Sequence, residues 1–415
     1  MNTAATHPLG EALNACTGCA ACAAVCAMDC ITMHPDAEGF LHPRINSAAC
    51  TDCGLCRQVC PVYRGKPSEG VKEREETEGK PLRVFAAWHL DEAVRRESSS
   101  GGVFTALAEN ILARGGVVVG AAFDDRLVVR HILIETSADL HRLRGSKYVQ
   151  SEISSALYRQ ARDLLKQDRP VLFSGTPCQV AGLRCFLRQP SEKLFCCDLI
   201  CHGVPSPLLF ARYVQHNQTR GNQLAKVSFR DKTTGWKHFS VRQHLQKGGS
   251  RLFSMYADPY MAAFLHDCAL RPSCYDCKFA SPTRSGDLTI ADFWGVAKKY
   301  PEYDRDDKGT SLVLVNTPRG LAWLHACRKR LFLGPADFDT AVARNPMLVR
   351  SSHRPPQRDT FYRDLDALSF PALVRRYRLH PRSLLRRVLS CIKKRVAHAC
   401  RKATGTLGFA KRESA

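Results

Sequence analysis

The sequence predicts an α+β chain in three parts: a small cysteine-rich module, a mixed α/β body and a basic helical tail. Three observations predict it. Eight cysteines fall into two runs of the same spacing within residues 10–62. Short apolar runs alternate with stretches of helical periodicity from Leu82 to about Leu333. From Phe370 onward, lysine and arginine dominate while apolar residues keep to one helical face. A length of 415 residues favours two or three domains. The expected boundaries are 1–63 for the module, 64–81 for a linker, 82–335 for the body and 336–415 for a basic C-terminal extension.

Composition narrows the class. A hydrophobic content of 44% is ordinary for a globular protein, and no apolar run approaches the eighteen residues of a membrane span. The N-terminus lacks a basic start followed by an apolar stretch, so a cytoplasmic chain is expected. Its 20 cysteines are bunched, which in a large unexported protein favours metal ligation over disulfides. The net charge of +22 is concentrated in the tail and does not by itself point to nucleic acid.

In the module, Cys16-x2-Cys19-x2-Cys22-x3-Cys26 is repeated as Cys50-x2-Cys53-x2-Cys56-x3-Cys60-Pro61. A loop so spaced wraps a cube of iron and sulfide with three thiolates, and the fourth cysteine crosses to the other cluster. The pattern predicts a bacterial-type two-cluster ferredoxin fold. Cys16, Cys19, Cys22 and Cys60 would hold one [4Fe–4S] cluster, and Cys50, Cys53, Cys56 and Cys26 the other. The alternative is zinc or buried thiols, but zinc usually takes two separated cysteine pairs. Cys26 precedes Ala27 where Cys60 precedes a proline; that proline turns the chain and is no ligand. Cys30 is surplus and is expected to be a packed core thiol. Such a module moves single electrons, so the body must supply a substrate or a cofactor that handles pairs.

The stretch Arg64 to Pro81 has almost nothing to bury and reads as the linker. In the body, strands are expected at Val84–Trp88, Val117–Phe123, Leu127–Glu135, Val171–Phe173, Leu194–Ile200, Val227–Arg230, Leu288–Phe293 and Leu312–Asn316, with helices at Val103–Ala113 and Ile153–Lys166. Ser98–Phe104 sets small residues and free amides at a helix start, which suits an anionic phosphate but equally an ordinary N-cap. Gly145–Gln150 sets a lysine beside a tyrosine; an exposed turn would read the same way. Cys178, Cys201, Cys274 and Cys277 stand in polar, turn-like text, whereas Cys185, Cys196, Cys197 and Cys327 stand in apolar text and are expected in the core. No G-x-G-x-x-G follows a strand, so a dinucleotide-binding Rossmann unit is not expected.

These stretches carry a resemblance. SSSGGVFTALAE, GGVVVGAAF, LRGSKYVQS, VLFSGTPCQVAGL, DLICHGVPSP, FRDKTTGWK, LRPSCYDCKFA, DLTIADFWG and DKGTSLVLVNT, with the cysteine runs, resemble the beta-subunit family of coenzyme F420 hydrogenases and dehydrogenases, in the bacterial form with a fused ferredoxin. The resemblance covers residues 10 to about 330. It implies an FAD-binding iron–sulfur oxidoreductase with a non-Rossmann flavin fold. It also implies a third [4Fe–4S] cluster, for which Cys178, Cys201, Cys274 and Cys277 are the matching positions; Cys268 is a substitute ligand, although its helical text favours packing. Ser100, Gly101, Gly102, Lys147 and Thr176 are the expected flavin contacts, with Asp292 near the same site unless its carboxylate is structural. No acid or base is assigned.

The function expected from these readings passes electrons between a two-electron carrier at FAD, coenzyme F420 or another hydride carrier, and one-electron clusters. The alternative is a non-catalytic electron-transfer subunit docking another oxidoreductase. A further alternative is a nucleotide- or sugar-modifying enzyme with structural clusters. Relatives of this form are associated with cell-surface polysaccharide synthesis. The expected partners are a redox protein or a small hydride carrier, and no nucleic acid. The tail sets thirteen lysines and arginines between Arg375 and Arg412 against the single acid Glu413. It suits a peripheral contact with the anionic inner membrane face or an acidic partner, the alternative being a solvated tail.

Overall fold

Apolar runs without alternation belong in strands covered on both faces, and here they lie side by side at the centre of one sheet. The structure, a computed structural model, describes residues 10–13, 15–63, 79–218 and 221–379. Most of the expected linker and the tail beyond Leu379 lie outside these residues. In the cysteine module, β1 (Ile31–Pro35) and β2 (Leu41–Ile45) pair antiparallel. The body opens with β3 (Arg83–His89), β4 (Val117–Phe123), β5 (Val129–Ile134), β6 (Val171–Gly175) and β7 (Leu194–Leu199). An insertion follows, β8 (Leu224–Asp231), β9 (Ser240–Leu245) and β10 (Ser250–Ser254), forming its own antiparallel sheet. Then β11 (Leu288–Asp292), β12 (Ser311–Val315) and β13 (Leu331–Ala336) complete an eight-stranded sheet ordered β13-β3-β12-β11-β7-β6-β4-β5.

In that sheet β11, β7, β6 and β4 run parallel, with antiparallel neighbours on both sides. Strand β3 pairs antiparallel with β12, and β12 antiparallel with β11, so β3 shares the direction of the parallel centre. The carboxyl ends of β3, β6, β7 and β11 therefore emerge at one edge, where open α/β sheets bind their ligands. Ser98–Gly102, Thr176–Cys178, Cys201 and Asp292 lie on or just beyond those ends. Cys196, Cys197 and Cys327 are wholly buried and Cys185 nearly so, as the apolar text around them predicts. Sequence periodicity missed β9, β10 and β13. The first two are half-exposed strands of a small sheet, with mixed polar and apolar residues.

The cysteine module is docked on the body. Its helix Ala21–Val25 packs against the helices Ser155–Lys166 and Pro177–Leu187. Gly182 makes this approach close: a Cβ there would lie 2.9 Å from Cys19 Sγ. Arg159 donates to the carbonyls of Ala24 and Cys26, both at 3.0 Å. Residues 346–379 fold back on the same side, and Phe361, Leu365, Phe370 and Leu373 share a core with Tyr213 and Tyr260. From this segment Arg358 makes a two-pronged ion pair with Glu38 of the module and donates to the carbonyl of Leu270 at 3.0 Å. Among the described residues no helix is long and apolar enough to cross a membrane.

Removing one partner of a buried ion pair strands the other. Arg358→Ala is expected to cost about 3 kcal/mol, the low end for a buried pair because a quarter of the Glu38 side chain is exposed. The loss is read as a lower midpoint of thermal unfolding, and an unchanged midpoint contradicts it.

Candidate iron–sulfur and cofactor sites

Within the module the two cysteine runs have the same backbone. Gly18 and Asp52, each just before the second cysteine of its run, are left-handed at φ 71° and 50°; Ala20 and Gly54, each just after it, are left-handed at 63° and 71°. Left-handed residues between right-handed ones turn successive N–H groups inward, a cradle for anionic sulfur. Cys16, Cys19, Cys22 and Cys60 lie close enough to raise one another's thiol pKa by repulsion. Cys50, Cys53 and Cys56 form the second neighbourhood. Cys26 reaches it through Cys30, whose thiol is 3.3 Å from that of Cys26 and also meets Cys50. Burial pushes the Cys19 and Cys22 thiols well up. Burial also works against a thiolate at Cys16, but hydrogen bonds from His42 and the Gly18 N–H, with the charge of Arg271, hold it below the ordinary range.

The body thiols meet at the carboxyl edge of the sheet. Thr176 begins the helix Pro177–Leu187 directly after β6; its N–H donates to Gln179 Oε1 at 3.0 Å, and Pro177 takes the first helical position. That start fixes Cys178 one residue into the helix, with its thiol 3.1 Å from Thr176 Oγ1. Cys201 follows β7, and the turn at Pro272–Cys274 carries Cys274 and leads to Cys277. All four thiols line one cavity with an empty volume of about 640 Å³, part of it open to solvent. Burial pushes Cys178 to about 11 and Cys274 to about 12 and raises Cys201 well above the ordinary thiol range; in each case thiolate repulsion from the others adds to it. A bound cation reverses that cost, because a coordinating thiol is deprotonated outright.

The cavity wall fits such a group. Among the described residues no three His, Cys, Asp or Glu side chains converge on a single-ion point; four cysteines on one cavity are the donor set that a four-iron cluster takes. Gln150 and Arg271 line it, and their Nε2 and Nη1 are buried polar atoms with no hydrogen-bond partner among the described residues, while the Thr17 hydroxyl lies beside the Cys178 thiol. Thr17 belongs to the Cys16–Cys22 loop, so the cavity and the first cluster loop share a wall. The cavity also takes Met347, Ser351 and Ser352 from the segment after β13, and Ser351 Oγ accepts the Cys277 N–H at 2.8 Å. Nothing in the local text of that segment links it to the thiols. Cys268 is buried outside the cavity lining and accepts from Gln357 Nε2 at 3.6 Å, a packing role.

The Ser98–Gly102 loop follows β3. Ser100 Oγ donates to the Thr310 carbonyl at 3.0 Å, and the Gly101 N–H donates to Ser311 Oγ at 2.9 Å. Gly101 admits no side chain because the Ala87 carbonyl fills the place of its Cβ. Gly102, at φ 90°, starts the helix Val103–Leu112 without any side-chain cap, leaving amides free at its end. Lys232 Nζ donates to the carbonyls of Arg95, Ser100 and Lys308 at 2.6, 2.8 and 2.7 Å. Arg230 grips both oxygens of Asp292 at 2.6 and 2.8 Å and reaches the Ser99 carbonyl at 3.0 Å, while the Trp236 indole N–H also donates to Asp292. Sequence reasoning assigned no role to Arg230, Lys232 or Trp236.

Ser100, Gly101, Gly102 and Asp292 thus share one network. Lys147 borders it through Ser146, whose N–H donates to Ser99 Oγ at 2.7 Å. Thr176 stands apart, on the thiol cavity, and Gln150 carries the Lys147 segment to that same cavity. Lys147 Nζ donates to the carbonyls of Arg142 and Arg144 at 2.9 and 2.8 Å. Burial, helped by repulsion from Lys226, pulls Lys147 down to about 7. Burial and the charges of Arg230 and Arg95 do the same to Lys232.

Residues 15–63 match the description "4Fe-4S dicluster domain". Residues 84–158 match the N-terminal part, and residues 168–339 the C-terminal part, of the beta subunit described as "Coenzyme F420 hydrogenase/dehydrogenase". A curated relative, one of the subunits of the F(420)H(2) dehydrogenase of Methanosarcina mazei, is 27% identical over 204 residues, covering 46% of this chain. The alignment spans 55% of that relative, about half its length. A solved structure, the F420-reducing [NiFe] hydrogenase complex from Methanosarcina barkeri, superposes with TM-score 0.43 and 16% identity over 67% of this chain and 97% of that one. With both halves of one family matched in order over most of the body, behind a dicluster 4Fe-4S domain, the chain belongs to the coenzyme F420 hydrogenase/dehydrogenase beta-subunit family.

Proposed function

We propose that this chain is an iron–sulfur flavoprotein oxidoreductase that trades an electron pair at FAD for single electrons on three [4Fe–4S] clusters. One observation carries the reading: four body thiols line a cavity whose wall includes Thr17, a residue of the first cluster loop. A cluster held by Cys178, Cys201, Cys274 and Cys277 lies next to one held by Cys16, Cys19, Cys22 and Cys60. The second module cluster, on Cys26, Cys50, Cys53 and Cys56, lies beyond it. Flavin would supply the chemistry that such a relay lacks, accepting an electron pair as one hydride and releasing electrons singly.

For the flavin we propose Ser100, Gly101, Gly102, Lys147, Thr176 and Asp292. Free amides at the start of the helix Val103–Leu112 suit the diphosphate. Lys147 and Lys232 bring positive charge to the same loop, and Asp292 orients Arg230 below it. Thr176, on the cavity, suits the end of the cofactor nearest the body cluster. The two-electron carrier is coenzyme F420 or another hydride carrier. A second reading, an electron-transfer chain docked on another oxidoreductase, has one support: the curated relative is named as one of several dehydrogenase subunits. Reduction of bound flavin by a soluble hydride donor separates the two readings.

After strictly anaerobic purification the chain is expected to hold about twelve irons and one FAD, since three four-iron clusters are proposed. Cys274→Ser is expected to lower iron to about eight, with the module's clusters kept. About eight irons and no flavin in the unaltered chain overturn the reading. Lys147 supplies a pH test. In the free protein it gives up its proton near pH 7, well below the 10.5 of an ordinary lysine. A phosphate bound beside it restores that proton, so FAD affinity is expected to fall as pH rises above about 7. Lys147→Met should bind more weakly at pH 6.5 and lose this dependence, as measured by flavin fluorescence titration; an equal slope in both proteins removes Lys147 from the site.

A further inference from the structure

Buried arginines in this fold come with carboxylates. Arg95 has Asp306, Arg230 has Asp292, Arg284 has Asp198 and Arg358 has Glu38. Arg271 breaks the pattern. It is 1% exposed, and among the described residues it makes no ion pair with any carboxylate. Its Nε donates to the Cys16 carbonyl at 2.7 Å, and its Nη2 meets the Leu41 carbonyl at 3.0 Å and His42 Nε2 at 2.9 Å. Its Nη1 has no hydrogen-bond partner among the described residues, and Arg271 lines the cavity together with Cys178, Cys201, Cys274 and Cys277.

A full positive charge in the interior is costly unless an anion answers it. The groups facing Arg271 are the body thiols on one side, the Cys16–Cys22 loop on the other, and His42 with the Phe40 ring, whose centroid lies 5.5 Å from the guanidinium carbon. An aromatic face and a histidine offset the charge only in part, and neither is an anion. Gln150 repeats the arrangement on a smaller scale. It is 4% exposed, its Oε1 accepts the Leu41 N–H at 3.0 Å, and its Nε2 is unpartnered on the same cavity. Both donors crowd Gly18: a Cβ there would lie 3.1 Å from Arg271 Nη1 and would clash with Gln150 Nε2. Only a residue without a side chain lets them come so near the loop.

We infer that Arg271 is the shared counter-charge of the body cluster and the first module cluster, holding both at higher potential, with Gln150 as an auxiliary amide donor. The inference rests on the three-cluster reading and adds to it a residue that sets the energetics of the step between two clusters. A four-thiolate cluster is anionic and becomes more so on reduction, so a fixed cation beside it favours the reduced form. Nearby charge and hydrogen bonds to sulfur are among the factors that set cluster potentials. In the step itself one electron leaves the reduced body cluster and reduces the first module cluster. No bond or proton changes hands. Because Arg271 faces both partners, it shifts both in the same direction and leaves the driving force between them little changed.

The test is an EPR-monitored redox titration of the full-length, anaerobically purified holoprotein, with iron counted in every sample. In Arg271→Gln the reduced-to-oxidised ratio of the body and first module clusters, at a fixed potential, is expected to fall about tenfold, or about 59 mV per one-electron couple. The second module cluster should not move, and Arg271→Lys should stay near the unaltered protein. Gln150→Glu guards against a failure of Arg271→Gln to fold. It keeps an acceptor for the Leu41 N–H while placing a carboxylate beside the guanidinium, and it should shift the same two clusters the same way. Unmoved potentials in Gln150→Glu and Arg271→Gln, or an equal shift of all three clusters, overturn the inference alone. About eight irons in the unaltered protein overturn the proposed function, and this inference with it.

Discussion

The seating of the Cys16–Cys22 loop on the carboxyl edge of the sheet is the constraint on which the other features depend. Cys19 sits over Gly182, where any side chain would push the module away. The carbonyl of Cys16 accepts from Arg271 Nε and from Ser273 Oγ, so the turn that bears Cys274 is tied to the loop that bears Cys16. Each hydrogen bond alone contributes about 1 kcal/mol. Together they fix the distance between two sets of thiols from chain segments far apart in sequence. Rigid placement suits electron transfer, because the donor and acceptor then need no search for one another.

The body supplies that rigidity through a buried polar framework beneath the sheet edge. Asp198, wholly buried at the end of β7, accepts from Arg284, from Thr289 Oγ1 at 2.6 Å and from the Gly286 N–H at 2.9 Å. Asp287 does the same one strand over, holding Arg184, Arg319 and the Cys196 N–H. A buried network of this kind disfavours alternative arrangements more than it adds net stability. It fixes the exit of β7, and so the place of Cys201.

What could be read in the sequence follows the range of the interactions. The dicluster module was legible because eight cysteines at fixed spacing encode a loop geometry in a few residues. The buried strands were legible from their unbroken apolar text, and the four buried cysteines of the body from theirs. The convergence of Cys178, Cys201, Cys274 and Cys277 was not legible from spacing, and only family resemblance put them together; the fold now gives them one cavity. Arg271 stood inside a conspicuous motif, yet its meaning depends on Gln150, Gly18 and Cys16 arriving from distant segments. Residues 346–379 have ordinary composition, and their part in closing the cavity is set by docking alone. Asp292 was legible as a polar strand end, while its grip on Arg230 and Trp236 required the inserted sheet β8–β10 to pack against β11.

The two cysteine runs, alike in backbone, are unlike in surroundings. Cys19 is buried against the body and Cys22 within the module, whereas Cys53 is exposed. With clusters seated as proposed, this asymmetry gives the chain a vulnerable end and a sheltered one. Dissolved oxygen meets the outer cubane first, while the inner cubane is covered by the helix Pro177–Leu187. Brief contact with air would therefore damage the outer cubane before it reached the interior, leaving the inner clusters intact but cut off from whatever lies beyond the outer one.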